Sequence, residues 1–224
     1  MTPSAARLRA FVRRHTRLVA VADAPGLRLR LADDAMAVLR QSGLELGEPD
    51  PPLPFWAFAW PGGLGLARYL ADHPAEVDGR RVIDVASGSG LCAIAALRCG
   101  AAFVQAFDVD PLSEAAVSLN ARANGVQIGF SRRDPLAEPA PDCDVILAGD
   151  VAYEETLAGR MFGWLRAAQA RGIRVLVGDP GRTYLPPDLE RLADYRVTAS
   201  REIEDAELKT ATVFTFRDVR DRAA

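Results

Sequence analysis

The sequence predicts an α/β protein built on a doubly wound, mostly parallel seven-strand sheet with an antiparallel C-terminal strand pair. Three observations predict it. From residue 61 onward, short apolar runs alternate with amphipathic stretches, as strands and helices alternate where a parallel sheet is covered on both faces. The run Asp84-Val-Ala-Ser-Gly-Ser-Gly90 puts a glycine turn directly between one such strand and the next helix. Near the C-terminus the alternation stops, and two extended runs follow one another with no helix between them, which requires an antiparallel pair.

The elements follow in order. Leu8, Phe11 and Val12 share one face of a predicted N-terminal helix, and Leu27, Leu29 and Leu31 alternate with Arg28 and Arg30 as a short strand does. Residues 32–41 read as a short helix. Gly47-Glu-Pro-Asp-Pro-Pro-Leu-Pro54 holds four prolines in eight residues and is expected to be a linker, dividing a basic arm with its linker (1–54) from the main domain (55–218) and a tail (219–224). Pro61 opens a helix through residue 71. Strands are predicted at 81–85, 103–107, 126–130, 144–148 and 173–177. Helices at 91–99, 111–124 and 154–171 lie between them, closed by Gly100, Gly125 and Gly172. A short helix at 187–193 is then expected, followed by the paired strands 195–200 and 211–216, joined by an acidic loop.

Composition limits what such a chain does. It has 224 residues, a net charge of −3 and three scattered cysteines, so a disulfide scaffold is excluded and a reducing compartment expected. No apolar run reaches the ~20 residues of a membrane span. Charge is uneven: residues 1–30 hold seven arginines against Asp23 alone, so the rest of the chain is acidic. The basic start fits an amphipathic helix packed on the domain, an arm meeting an acidic partner, or an organelle transit peptide. Nucleic acid is not expected as a partner, because an acidic body repels phosphates. Metal chemistry has little support, since there are only two histidines and no C-x-x-C or H-x-x-x-H spacing.

Gly88-Ser-Gly90-Leu-Cys-Ala93 satisfies G-x-G-x-x-A, and Asp108 lies 20 residues beyond Gly88 at the end of the next strand. Taken alone this fits a dinucleotide as well as S-adenosylmethionine, with Asp108 accepting from ribose hydroxyls. Asp84 discriminates. A carboxylate on the strand before the loop repels a pyrophosphate and attracts the α-ammonium of S-adenosylmethionine. Asp134, after the third strand, is placed to bond an adenine amino group or to cap the Pro135 turn. At the far end of the cleft, the strand 144–148 leads into Gly149-Asp150-Val-Ala-Tyr153-Glu154 and carries Asp150 and Tyr153 to the crevice. Asp179 and Arg182, after the next strand, are placed to position a partner or lid. Among the clustered aromatics, Trp56 and Phe58 read as packing. Trp60 is the cofactor-contact candidate, because the adjoining Pro61-Gly62-Gly63 turn permits close approach.

The segments Trp60-Pro-Gly-Gly63, Asp84 to Gly90, Asp108-Val-Asp-Pro111, Gly149-Asp-Val-Ala-Tyr-Glu154, Arg174-Val-Leu-Val-Gly-Asp-Pro-Gly-Arg182 and Thr212-Val-Phe214 occur in order across residues 55–216. Together they resemble the class I, Rossmann-like methyltransferases that modify protein lysines, and within them the electron transfer flavoprotein beta subunit lysine methyltransferase family and its bacterial members. That family often carries a bulky apolar residue where this chain has Ala152. The resemblance implies methyl transfer from S-adenosylmethionine, leaving S-adenosylhomocysteine, to lysine ε-amines of that flavoprotein subunit. In this scheme Asp150 captures and orients the lysine and also borders the cofactor, and Tyr153 bonds the amine. Trp60, Asp84, Gly88, Gly90, Asp108 and Asp134 line the cofactor. Another protein lysine, of the ribosomal-protein type, or a small amine such as nicotinamide are the alternatives, with a dinucleotide oxidoreductase more distant. A cytoplasmic bacterial monomer is expected, or a mitochondrial matrix protein if the arm is a transit peptide.

Overall fold

A computed structural model describes residues 3–47, 49–198 and 208–217. Helix α1 (Ala5–His15) leads into a hairpin of β1 (Arg17–Ala20) and β2 (Arg28–Leu31), then α2 (Ala35–Gln41). The main domain runs α3 (Pro61–Asp72), β3 (Arg81–Val85), α4 (Leu91–Arg98), β4 (Phe103–Phe107), α5 (Pro111–Ala123), β5 (Gly129–Ser131), β6 (Val145–Gly149), α6 (Glu155–Ala170), β7 (Arg174–Asp179), β8 (Leu189–Thr198) and β9 (Leu208–Phe216). The large sheet has seven strands in the order β5-β4-β3-β6-β7-β9-β8. Its first five strands are parallel, and β9 is antiparallel to both β7 and β8. This is the predicted architecture.

The period of two along the strands divides the core. Val82, Val145, Leu147 and Leu176 face a layer that includes Leu64, Leu66 and Leu70 of α3 and Ile94 of α4. The intervening Ile83, Val85, Ile146, Ala148, Val175 and Val177 face Met161, Phe162 and Leu165 of α6. Strands buried on both sides have no polar face to show, which is why they read in sequence as nearly unbroken apolar runs.

The arm is built onto this body. Leu8, Phe11 and Val12 of α1 are buried with Trp56 against Leu112, Ala115, Ala116 and Leu119 of α5. The amphipathic stripe therefore packs on the domain. Asn120 of α5 and Asn124, its C-cap, accept the backbone N–H of Arg30 (2.8 Å) and Arg28 (3.0 Å), docking β2 on the same helix. Strand β1 has no counterpart in the sequence reading; it is recruited by antiparallel pairing with β2.

One expected element is corrected. Residues 187–193 are not a helix, because Leu189 begins the ten-residue edge strand β8. Pro187 followed by Leu189, Leu192 and Ala193 at i, i+3 and i+4 imitates a helix start. A bulge between Arg191 and Ala193 interrupts the alternation that would have marked a strand. The strand expected at 126–130 is shorter and later, at Gly129–Ser131. The acidic loop at 201–207, the end of the expected strand at 199–200 and the tail at 219–224 lie outside the described residues. No helix among the described residues is long and apolar enough to cross a membrane.

Candidate active site

Strand order reverses between β3 and β6, and in open α/β sheets the crevice at the C-terminal ends of such a pair receives ligands. Both strands end there in strained backbone. Ala86 (φ 51°) follows β3 and Asp150 (φ 56°) follows β6, two non-glycine residues in the left-handed region.

On the β3 side, Gly90 (φ 80°) is the N-cap of α4, which opens a turn no side chain at that position would favour. Asp84, 2% exposed, accepts the Ala93 N–H at 3.1 Å. Burial pushes its pKa up to about 8 against the Ala93 hydrogen bond, and the neighbouring Asp108 raises it further. Asp108 holds the loop from the other side, accepting Gly88 N–H at 2.8 Å and Asp110 N–H at 2.9 Å; burial raises its pKa despite these bonds. The loop's Ser87 hydroxyl is buried without a hydrogen-bond partner among the described residues.

The β6 side is assembled by glycines. The α3 N-terminus presses onto the ends of β6 and β7 so closely that a Cβ on Gly62 would lie 2.1 Å from the Gly178 carbonyl oxygen. Reciprocally, a Cβ on Gly178 would lie 2.1 Å from Gly62 O, and one on Gly149 3.2 Å from Gly63. This crossing explains why W-P-G-G, G-D and V-G-D each carry glycine. It lets the Asp150 carboxylate accept Gly63 N–H at 2.9 Å, an acid at the positive end of a helix. The other Asp150 oxygen accepts from Arg182 at 3.2 Å. Burial pushes the Asp150 pKa up to about 6; Arg182 opposes the rise, Asp179 adds to it, and the Gly63 and Gly62 amides oppose it. Asp179, fully buried, accepts the Gly181 and Arg182 N–H groups at 2.8 and 2.7 Å and so shapes the loop that delivers Arg182.

Aromatic side chains close the top. Trp60 Nε1 donates to Phe55 O at 2.9 Å, and the Arg182 guanidinium lies 5.7 Å from the Trp60 ring. Phe55 touches both Trp60 and Tyr153, with centroids 5.5 and 5.3 Å apart, bridging the two halves of the cleft. Tyr153 is 47% exposed, and burial of its hydroxyl, with Asp108 and Glu154 nearby, raises its pKa. The sequence-predicted residues Trp60, Asp84, Gly88, Gly90, Asp108, Asp150 and Tyr153 therefore surround one crevice.

Asp134 is engaged elsewhere. It caps its own turn through Leu136 N–H at 2.9 Å and pairs with Arg160 at 2.8 Å. Phe55 and Cys92 are additions. Cys92 is buried behind the crevice, its thiol 3.7 Å from Gly63 O. Its pKa is raised by burial and by Asp84 and Asp150. Phe55 lay within the aromatic cluster of the sequence, whereas nothing local singles out Cys92.

The chain matches the family Ribosomal protein L11 methyltransferase (PrmA) over residues 71–153. It is 34% identical over 215 residues to the electron transfer flavoprotein beta subunit lysine methyltransferase of Xenopus laevis, covering 93% of this chain and 86% of that one. The chain belongs to that lysine methyltransferase family. The Rattus norvegicus member is 38% identical over 170 residues, 73% of this chain and 67% of its own length. In fold, the chain is similar to a solved putative RNA methyltransferase from Pyrococcus horikoshii, with a TM-score of 0.53 at 16% identity, covering 76% and 89% of the two chains.

As a member of the lysine methyltransferase family the protein is an S-adenosylmethionine-dependent enzyme, and the dinucleotide alternative is set aside. The crevice fits that cofactor. Asp84 is a buried acid whose ionisation both burial and the neighbouring Asp108 oppose, so a cationic group of a ligand is favoured beside it. A Cβ on Gly88 would find nothing nearer than 3.7 Å, and Ser87 offers an unused hydroxyl.

Proposed function

We propose that this protein methylates lysine ε-amines of the electron transfer flavoprotein beta subunit. The observation that carries the reading is 34% identity to a protein of that name across 93% of the chain. The geometry supports it in two ways. Asp84, Ser87, Gly88 and Asp108 gather around the glycine loop, where they would hold the cofactor, and Asp150 and Tyr153 follow the neighbouring strand, where they would meet an acceptor.

A lysine of ordinary pKa near 10.4 must lose its proton before attack, at a cost of ~4.6 kcal/mol at pH 7. A lone carboxylate beside it would deepen that cost by favouring the ammonium. Here Arg182 is already paired with Asp150, so the acid orients the incoming lysine without acting as an uncompensated counter-ion. Tyr153 bonds the nitrogen and aims its lone pair. The proton leaves to solvent. Bound S-adenosylmethionine would supply a sulfonium-activated methyl group, and the contacting Trp60 and Phe55 rings would limit water at that end of the crevice. Asp134 is already engaged by Leu136 N–H and by Arg160, so it carries no part of this reading.

The deciding experiment is transfer of tritiated methyl into purified electron transfer flavoprotein. Label on the beta subunit is expected. Label on ribosomal protein L11 and none on the flavoprotein would transfer the reading to the family matched by residues 71–153.

Asp84 supplies an independent check on the cofactor role. At pH 7 a group titrating at about 8 is mostly protonated. A cationic α-amino group favours its ionised form, so binding of S-adenosylhomocysteine should release about one proton, and affinity should rise with pH toward 8. Calorimetry at pH 7 in two buffers of different ionisation enthalpy measures the release. Asp84→Asn should abolish it and weaken binding about 10- to 100-fold. Heats independent of the buffer would refute the assignment.

A further inference from the structure

A groove of about 300 Å3 opens beside Tyr153, outside the cofactor crevice, and is lined also by Ala152, Arg182, Tyr184 and Lys209. Tyr153 and Tyr184 come from different loops, after β6 and β7, and are 47% and 41% exposed. These two half-exposed aromatic rings stand among polar groups on one concave surface, which suits a ligand that combines an apolar stem with a polar end. Ala152 is small and fully buried, so no bulky side chain intrudes at its position.

We propose that this groove admits the target lysine and that Tyr184 is a specificity-determining wall of it, gripping the aliphatic stem opposite Tyr153. The inference rests on the lysine acceptor proposed above. A lysine side chain presents four methylenes ending in a cation, and aromatic walls match both parts, through apolar contact with the stem and the ring face toward the ammonium. The inner end of the groove leads to chemistry, because Arg182, which lines it, is bonded to Asp150 at 3.2 Å. Its charge is balanced there by Asp150 and the nearby Asp179. An arriving ammonium meets no net repulsion at that end. Lys209 belongs to β9, whose register puts Thr212 opposite Asp179, so Lys209 lies three residues beyond the end of β7, at the outer rim.

The test compares Tyr184→Ala with Tyr184→Phe. Tyr184 sits in an exposed turn, and thermal melting of both variants should match the wild type. Tyr184→Ala should raise the KM for the acceptor protein about tenfold with a smaller change in kcat and unchanged affinity for S-adenosylhomocysteine. Tyr184→Phe should restore KM to within about twofold, since the ring remains. An unchanged KM in Tyr184→Ala, or an equal loss in cofactor affinity, would overturn the proposal. Competition by millimolar inorganic phosphate against the acceptor would also overturn it, by marking the groove as an anion site. If the wild type labels a protein other than the flavoprotein subunit, the functional reading fails separately, and the same variants are measured on the protein it does label.

Discussion

Gly178→Ala should cost about 4 kcal/mol of stability or more and lower the melting temperature by roughly 8–16 °C. The new Cβ would lie 2.1 Å from Gly62 O and 2.7 Å from Leu66 Cγ, distances at which backbone or core must move. Neither side can give easily. Gly178 belongs to β7, hydrogen-bonded to β6 on one side and β9 on the other, and Gly62 is in the first turn of α3, held by Asp150 and Pro61. Displacing α3 also pulls Gly63 away from Asp150, so residual folded protein should have little activity. Gly163→Ala on α6 is the control, because a Cβ there meets nothing within 4 Å, and it should be neutral or stabilising by up to about 1 kcal/mol. Thermal denaturation followed by circular dichroism measures both. A Gly178→Ala protein as stable as the wild type would mean that the helix does not press on the sheet in this way.

The second large effect is on catalysis. Asp150→Asn should reduce kcat on the order of 10²- to 10³-fold while leaving S-adenosylhomocysteine affinity within a few-fold. The amide oxygen still accepts from Gly63, so the α3 N-terminus stays satisfied, but the charge that Arg182 pairs with is gone. Asp150→Ala is the harsher change, since it also strips the helix end of its acceptor. The acid must be ionised to orient a cationic side chain, so the decline of wild-type kcat on acidification, already set by lysine protonation, should steepen below about pH 6, and that extra steepening should vanish in Asp150→Asn. For stability the sign is opposite. The folded-state pKa lies above the ordinary carboxylate value, so this group's contribution to stability is complete below that ordinary value. It is lost as pH rises through about 6. The charge is thus held at neutral pH against the preference of the fold, as expected of a functional group. Equal losses of turnover and cofactor affinity in Asp150→Asn would remove the division between binding and acceptor orientation.

Much of this site was legible in the sequence because its signals are local. A strand, a glycine turn and a helix N-terminus in succession place Asp84, Gly88 and Gly90 together, and the next strand end brings Asp108 back to the loop. The same logic carried Asp150 and Tyr153 to the crevice. What the chain order does not contain are contacts between residues far apart in it. Gly62 meets Gly178, Arg182 reaches back to Asp150, and Phe55 bridges to Tyr153, pairings decided by how α3 crosses the sheet. The same holds for Asp134, which a surface arginine on α6 claims, and for β8, whose bulge hides its period while β9 supplies its hydrogen bonds. Sequence alone determined the alternation of helix and strand from α3 to β7, the crevice and the family resemblance, because periodicity, caps and glycine turns are written over a few neighbouring residues. Only the tertiary structure decided how Asp150 is charged and what holds it, because burial and partners distant in the chain set the free energy of its ionisation.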